Sequence, residues 1–290
     1  MELKDYLRDE ILEEADLGYI SSEERDRRLA VFDNALNGSM MAVPSAETAG
    51  NAAQAEAADS DVLTSRPVAQ GKESEVMTYM AKPKSGAGLP GVVVIHENKG
   101  LVQYVEDVVR RLAREGFVAV APDLLSRRGG TGSFSEPAEA TSALATIGRE
   151  ELVDDLIATV SLLAADDSVQ PERIGVIGFC FGGGMAWRLI TKDSRIKAAV
   201  PFYGPNPPLE DVPDIKASVL AIYGGLDDRI NAGIDEIVAA MEQNNKVFEK
   251  IIYPGAEHAF HNDTNPDRYH PEAAAQAWQR ALAWLRRWLA

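Results

Sequence analysis

Ile174-Gly175-Val176-Ile177-Gly178-Phe179-Cys180-Phe181-Gly182-Gly183-Gly184 decides how this chain folds. A short β-branched run passes through Gly-x-Cys-x-Gly into a segment that can continue as helix. Strand, tight turn and helix in that order form a nucleophile elbow, a strained turn that lifts one reactive side chain above a sheet. Small residues flank the centre because a Cβ there would collide with the neighbouring backbone. The reactive residue is Cys180, the only cysteine among 290 residues. A buried structural cysteine in a Gly-rich turn has the same local sequence. The remaining strand ends must therefore separate the two readings.

From residue 66 onward, strand-like and helix-like segments alternate. Buried strands are predicted over 91–96, 117–121, 174–177, 198–202 and 219–223, and a final strand over 247–253. Helices are predicted over 105–114, 150–165, 185–191, 235–243 and 271–289. Continuous apolar strands between amphipathic helices indicate a mainly parallel central sheet with helices on both faces. Active sites in such sheets lie beyond the carboxyl ends of the strands. Upstream, residues 1–38 read as a helical extension. Leu3, Leu7, Ile11 and Leu12 recur at helical spacing, Ser21 and Glu24 match a capping box, and Gly38 closes the second helix. Residues 39–65, rich in Ala, Ser and acids, read as a linker, and 66–290 as the catalytic domain.

The net charge of −16 and the lack of a basic stripe exclude a nucleic-acid partner. One cysteine excludes an intrachain disulfide and fits a reducing compartment. No run reaches the roughly 18 apolar residues of a membrane span. Arg27-Arg28 is followed by Asp33, Asn34 and Asn37 instead of an apolar core, so twin-arginine export is rejected and a cytoplasmic location expected.

The strand ends carry the chemistry. Glu97 follows the first buried strand in His96-Glu97-Asn98-Lys99-Gly100-Leu101. Arg127 and Arg128 follow the second, suited to fork onto a substrate carboxylate. Tyr203-Gly204-Pro205 has no assigned purpose. Asp227 follows Gly224-Gly225, and His258 lies in Tyr253-Pro254-Gly255-Ala256-Glu257-His258-Ala259-Phe260-His261-Asn262-Asp263. Nucleophile, acid and histidine in that chain order match an α/β-hydrolase triad. Asp227 would fix the His258 tautomer, and His258 would pair with the thiolate and protonate the leaving group. Asp227 is preferred to Asp228 as the first acid after the turn, although spacing does not separate them. The N–H groups of Phe181 and Asn98 are the expected oxyanion donors.

The HENKGL, APDLLSR, GFCFGG, YGGLDDRI and YPGAEHAFHND segments together resemble the dienelactone hydrolase (carboxymethylenebutenolidase-like) family over about residues 70 to 290. The resemblance implies an α/β-hydrolase fold, a Cys180–Asp227–His258 triad, and no metal or organic cofactor. It also implies that Glu97 takes the thiol proton when substrate binds. The expected activity is opening of a lactone or cleavage of a small carboxylic ester through a thioester. In the family two arginines hold the dienelactone carboxylate. Arg127 matches the first, but Phe260-His261-Asn262 occupies the region of the second, which counts against dienelactone itself.

Two rival readings follow from the same residues: an amidotransferase-like cysteine-elbow enzyme, and a non-catalytic interaction protein on a hydrolase fold. The partner expected is a small-molecule ester or lactone, with neither nucleic acid nor membrane, and a homodimer through the N-terminal helices is one role for the extension. Trp278, Trp284 and Trp288 read as core. His261 and His270 near Asp263 and Asp267 lack a metal-ligand pattern. Asp154-Asp155 and Asp166-Asp167 read as solvated surface.

Overall fold

The computed structural model describes residues 3–16, 22–36 and 62–290. Ser21 of the expected capping box, Gly38 and residues 39–61 of the expected linker lie outside them. The chain begins with helices α1 (Leu3–Asp16) and α2 (Ser22–Leu36), followed by strands β1 (Val62–Ser65), β2 (Val68–Gln70) and β3 (Glu75–Pro83). Then come β4 (Leu89–Ile95), α3 (Gln103–Arg114), β5 (Val118–Pro122), α4 (Pro137–Ala145) and α5 (Arg149–Ala164). The elbow joins β6 (Val169–Phe179) to α6 (Phe181–Lys192). Last are β7 (Ile196–Phe202), β8 (Ser218–Gly224), α7 (Asp228–Asn231), α8 (Ile234–Gln243), β9 (Phe248–Tyr253) and α9 (Pro271–Trp288).

Eight strands pair in the order β1-β3-β5-β4-β6-β7-β8-β9, with β2 added alongside β3. From β5 to β9 every pairing is parallel, and β1 and β3 form an antiparallel edge. The five predicted apolar strands become β4 to β8, because strands buried on both faces read as unbroken apolar runs. The predicted last strand becomes the edge strand β9, while β2 and β3 were not expected. One boundary moves. Val62–Ser65 pairs with Met80–Pro83, so the sheet starts within the segment read as linker. A four-residue edge strand with Leu63, Thr64 and Ser65 exposed carries no apolar pattern to reveal it.

Register shows that the sheet is covered on both faces. Gly91 pairs with Ile174 and Val92 with Gly175, so the Gly91 and Gly175 positions face opposite sides. A Cβ on Gly91 would touch Leu163 of α5, and one on Gly175 would touch Leu285 and Leu289 at the end of the chain. Helix α3 joins α9, where the Arg111 guanidinium lies 4.4 Å from the Trp278 ring. Trp278 and Trp284 are buried as expected, and Trp284 donates to the Ser218 carbonyl at 3.1 Å.

The N-terminal helices share the core. Leu7, Ile11 and Phe32 are buried, and α2 lies along α4. Ile11 and Arg28 line a shallow cleft with Asn98, Lys99, Pro137, Ala138 and Thr141. The extension therefore reaches the loop that follows β4. In the sheet order, β4 is the switch point: its next strand, β5, lies on one side and β6 on the other. Loops diverge there and leave a crevice, the place where α/β sheets bind ligands.

Candidate active site

Cys180 stands between β6 and α6 with φ 56° and ψ −120°. A non-glycine residue in that region costs about 1–3 kcal/mol and persists only where its surroundings impose it. Gly178 and Gly182 make the turn possible. A Cβ on Gly178 would lie 2.0 Å from the Gly182 carbonyl oxygen, and one on Gly182 would lie 2.3 and 2.4 Å from the carbonyls of Ile95 and His96. The second contact seats the start of α6 against the end of β4. Phe181 opens α6, so its N–H is one of the donors that a helix leaves without an internal acceptor.

Asp227 and His258 meet above β8 and β9. His258 Nδ1 lies 2.6 Å from Asp227 Oδ2, and both residues are buried. Asp227 also accepts the Ile230 N–H at 3.2 Å as the cap of α7, which fixes its carboxylate. Burial pushes the Asp227 carboxyl up, but the charge and hydrogen bond of His258, with Arg229 and the Ile230 N–H, outweigh it. The carboxyl ends below its ordinary range. Nδ1 therefore carries the hydrogen in this pair, and Nε2 lies on the side of the ring away from Asp227. Asp228 is exposed, and Asp227 is the acid that meets His258.

Tyr203, unassigned in the sequence, belongs to this site. Its ring packs edge-on against His258 with centroids 5.1 Å apart. Its hydroxyl is pushed well above the ordinary tyrosine value, first by burial and then by Tyr104, Glu97 and Cys180. One phenol thus feels both Cys180 and Glu97. Cys180, Tyr203 and Ala259, which follows His258, are three of the four non-glycine positive-φ residues among those described. Backbone strain is concentrated at Cys180 and around His258.

The loop after β4 is held through its backbone. The Leu124 N–H donates to His96 Nε2 at 3.0 Å, so the His96 hydrogen sits on Nδ1, 2.5 Å from the Glu97 carbonyl. The C=O and N–H of a trans peptide point in opposite directions. By holding the Glu97 carbonyl, His96 turns the Asn98 N–H the other way. Burial lowers the His96 pKa despite Asp123 and the Glu97 carbonyl, which keeps the ring in this neutral arrangement. On the side-chain side, Glu97 Oε2 accepts Asn262 Nδ2 at 2.7 Å.

Residues 76–289 match the model of the dienelactone hydrolase family. The chain belongs to the dienelactone hydrolase family. It is 35% identical over 225 residues to a Yersinia pestis protein named "Putative carboxymethylenebutenolidase", covering 73% of this chain and 83% of that one. A Methylorubrum extorquens protein of the same name is 31% identical over 229 residues, covering 75% and 78%. Among solved structures, one titled "Crystal Structure of Putative Dienelactone Hydrolase" from Klebsiella pneumoniae superposes with a TM-score of 0.72 at 29% identity, covering 78% of this chain and 99% of that one. The fold is that of the α/β-hydrolases, and the activity is that of an ester or lactone hydrolase. The amidotransferase-like and interaction-protein readings gain no support.

Arg127, expected to bind a substrate carboxylate, is paired within the protein. Its Nε and Nη2 each lie 2.9 Å from one oxygen of Asp155, and Nη1 lies 3.2 Å from Glu151. Asp155 is fully buried on α5, not solvated as its sequence context indicated. The guanidinium fork is thus filled by carboxylates of the protein itself. An acid pair at a helix surface looks the same in sequence whether or not an arginine folds down upon it.

His261 is also a core residue. Its ring lies 5.2 Å from Phe179 and 5.3 Å from Phe202, and Nδ1 lies 2.6 Å from the Tyr104 hydroxyl. Burial, with the nearby Arg111 charge, lowers its pKa to about 3. Among the described residues, no three His, Cys, Asp or Glu side chains are grouped to hold a metal ion, and no helix is long and apolar enough to cross a membrane.

Two outcomes are expected. Arg127→Met should destabilise the fold by about 3–5 kcal/mol in urea unfolding, because it leaves Asp155 buried without its cation. Adding Asp155→Leu should recover most of that loss with KM unchanged; a large rise in KM in the double variant would restore Arg127 to substrate binding. Separately, His261 binds protons more weakly folded than unfolded, so stability is full above pH 6.5 and falls as pH drops toward 3. Between pH 7.5 and 5 the His261 share of that loss is about 2 kcal/mol. His261→Phe should flatten the wild-type pH dependence of the urea midpoint; an equally steep dependence would contradict the assignment.

Proposed function

We propose that this hydrolase opens lactones or cleaves small carboxylic esters through a thioester on Cys180. The observation that carries the proposal is the 2.6 Å Asp227–His258 pair, packed on the Tyr203 ring, together with the strained turn that carries Cys180. Glu97 takes the proton from the Cys180 thiol. The thiolate faces the His258 imidazolium, whose charge Asp227 supports from Nδ1. Sulfur attacks the acyl carbon, and the N–H groups of Phe181 and Asn98 receive the oxyanion. As the acyl C–O bond breaks, His258 gives its proton to the departing oxygen.

Neutral His258 then takes a proton from water as the water attacks the thioester. The acid departs, and the Cys180 thiolate recovers its proton from Glu97. Every proton returns to its starting group, and the net change is addition of water across one ester bond. The two positions that hold the dienelactone carboxylate in the family offer no available cation here. Arg127 is engaged by Asp155, and the later region supplies Asn262. The substrate fitted to this site is an uncharged ester or lactone.

Turnover of a neutral aryl ester and of a neutral lactone tests the reading. Cys180→Ala should abolish it, and Cys180→Ser should lose at least about 100-fold, because a serine hydroxyl is too weak an acid for Glu97 to ionise. Unchanged turnover in Cys180→Ala would overturn the nucleophile assignment.

A further inference from the structure

We propose that Asn262 is a positioning residue for the proton acceptor Glu97: it holds one carboxylate oxygen in the ionised form and leaves the other to exchange the thiol proton. The inference rests on the function proposed above. The contact is short, with Asn262 Nδ2 lying 2.7 Å from Glu97 Oε2, and both side chains are buried.

The direction of the amide follows from its other end. Asn262 Oδ1 accepts the Thr264 N–H at 3.0 Å and the Thr264 hydroxyl at 2.7 Å. An oxygen that receives two donors cannot be exchanged with the NH₂ group, so Nδ2 faces Glu97. Asn262 can therefore only donate to the carboxylate, and such a donor favours the ionised acid.

The same turn presents the triad histidine. Ala259 adopts φ 63°, and its carbonyl accepts the Asn262 N–H at 3.0 Å. His258 and Asn262 thus stand at the two ends of one strained turn, one aimed at Asp227 and the other at Glu97. The turn fixes the geometry of the base and of the proton acceptor together.

The residue type matters as well as its place. A carboxylate at 262 would force two acids to share one proton, and an arginine would lower the basicity of Glu97 through a full charge. A neutral amide orients the glutamate while leaving it basic enough to take the thiol proton. Tyr104 on α3 and Tyr203 after β7 both feel the charge of Glu97, and Tyr203 also feels Cys180 at the elbow. Arg111 and Asp263 act on Tyr104 in turn.

The test is the pH profile of kcat/KM for a neutral aryl ester in the full-length protein, with melting temperature measured in parallel. Asn262→Asp should move the acidic limb up by about one pH unit or more, because Glu97 must ionise beside a second acid. It should also lower kcat roughly tenfold or more at neutral pH, with KM changed less than about twofold. Thr264→Val removes one of the two donors that orient the amide without touching Glu97. It should shift the limb in the same direction by a smaller amount, and it provides the reading if Asn262→Asp does not fold.

A lowered melting temperature with an unmoved acidic limb in the folded variants would mean that Asn262 only packs, and would overturn the proposal. Failure of the underlying reading is distinguishable. Turnover retained in Cys180→Ala removes the cysteine mechanism, whereas loss in Cys180→Ala with an unmoved limb in the Asn262 and Thr264 variants removes this inference alone.

Discussion

The start of α6 can touch the end of β4 only because residue 182 has no side chain. A Cβ there would lie within 2.4 Å of two consecutive carbonyl oxygens, at Ile95 and His96. Backbone cannot yield to such a contact as a flexible side chain can, so the glycine sets the distance between two strand ends. One brings the Cys180 thiol and the Phe181 N–H, the other Glu97 and the Asn98 N–H. These four groups stand at the switch-point crevice, where α/β sheets bind ligands.

With that distance fixed, the remaining parts act by orientation. Neutral His96 holds the Glu97 carbonyl, and Asn262 holds the Glu97 carboxylate, so main chain and side chain of one residue are pinned from opposite sides. Asp227 does the same for His258, itself anchored by the Ile230 N–H. Buried polar groups of this kind stabilise a unique geometry only when each is satisfied. Strain at Cys180, Tyr203 and Ala259 is tolerated because packing on every side leaves no alternative.

Much of this was legible in the sequence. The parallel strands show as apolar runs, since burial on both faces removes alternation, and Cys180, Asp227 and His258 show as a chain order. What stayed hidden has physical causes. Arg127 was read as a substrate ligand because its partner Asp155 lies 28 residues away, on a helix whose rotation cannot be read from a pair of acids. Tyr203 carried no motif beyond its place at a strand end. Asn262 was seen only as an arginine that is absent; its role depends on Thr264 turning the amide, which requires the folded loop. Edge strand β1 was taken for linker, because an exposed edge has no apolar pattern to display.

The central claim is that Cys180 carries the acyl group. Rapid acid quench of the full-length enzyme during turnover of a slowly hydrolysed ester, followed by intact and peptide mass spectrometry, tests it directly. The account predicts a mass increase equal to the acyl group, located on the peptide containing Cys180 and removed by hydroxylamine. An acyl group found on any other residue during productive turnover would contradict it.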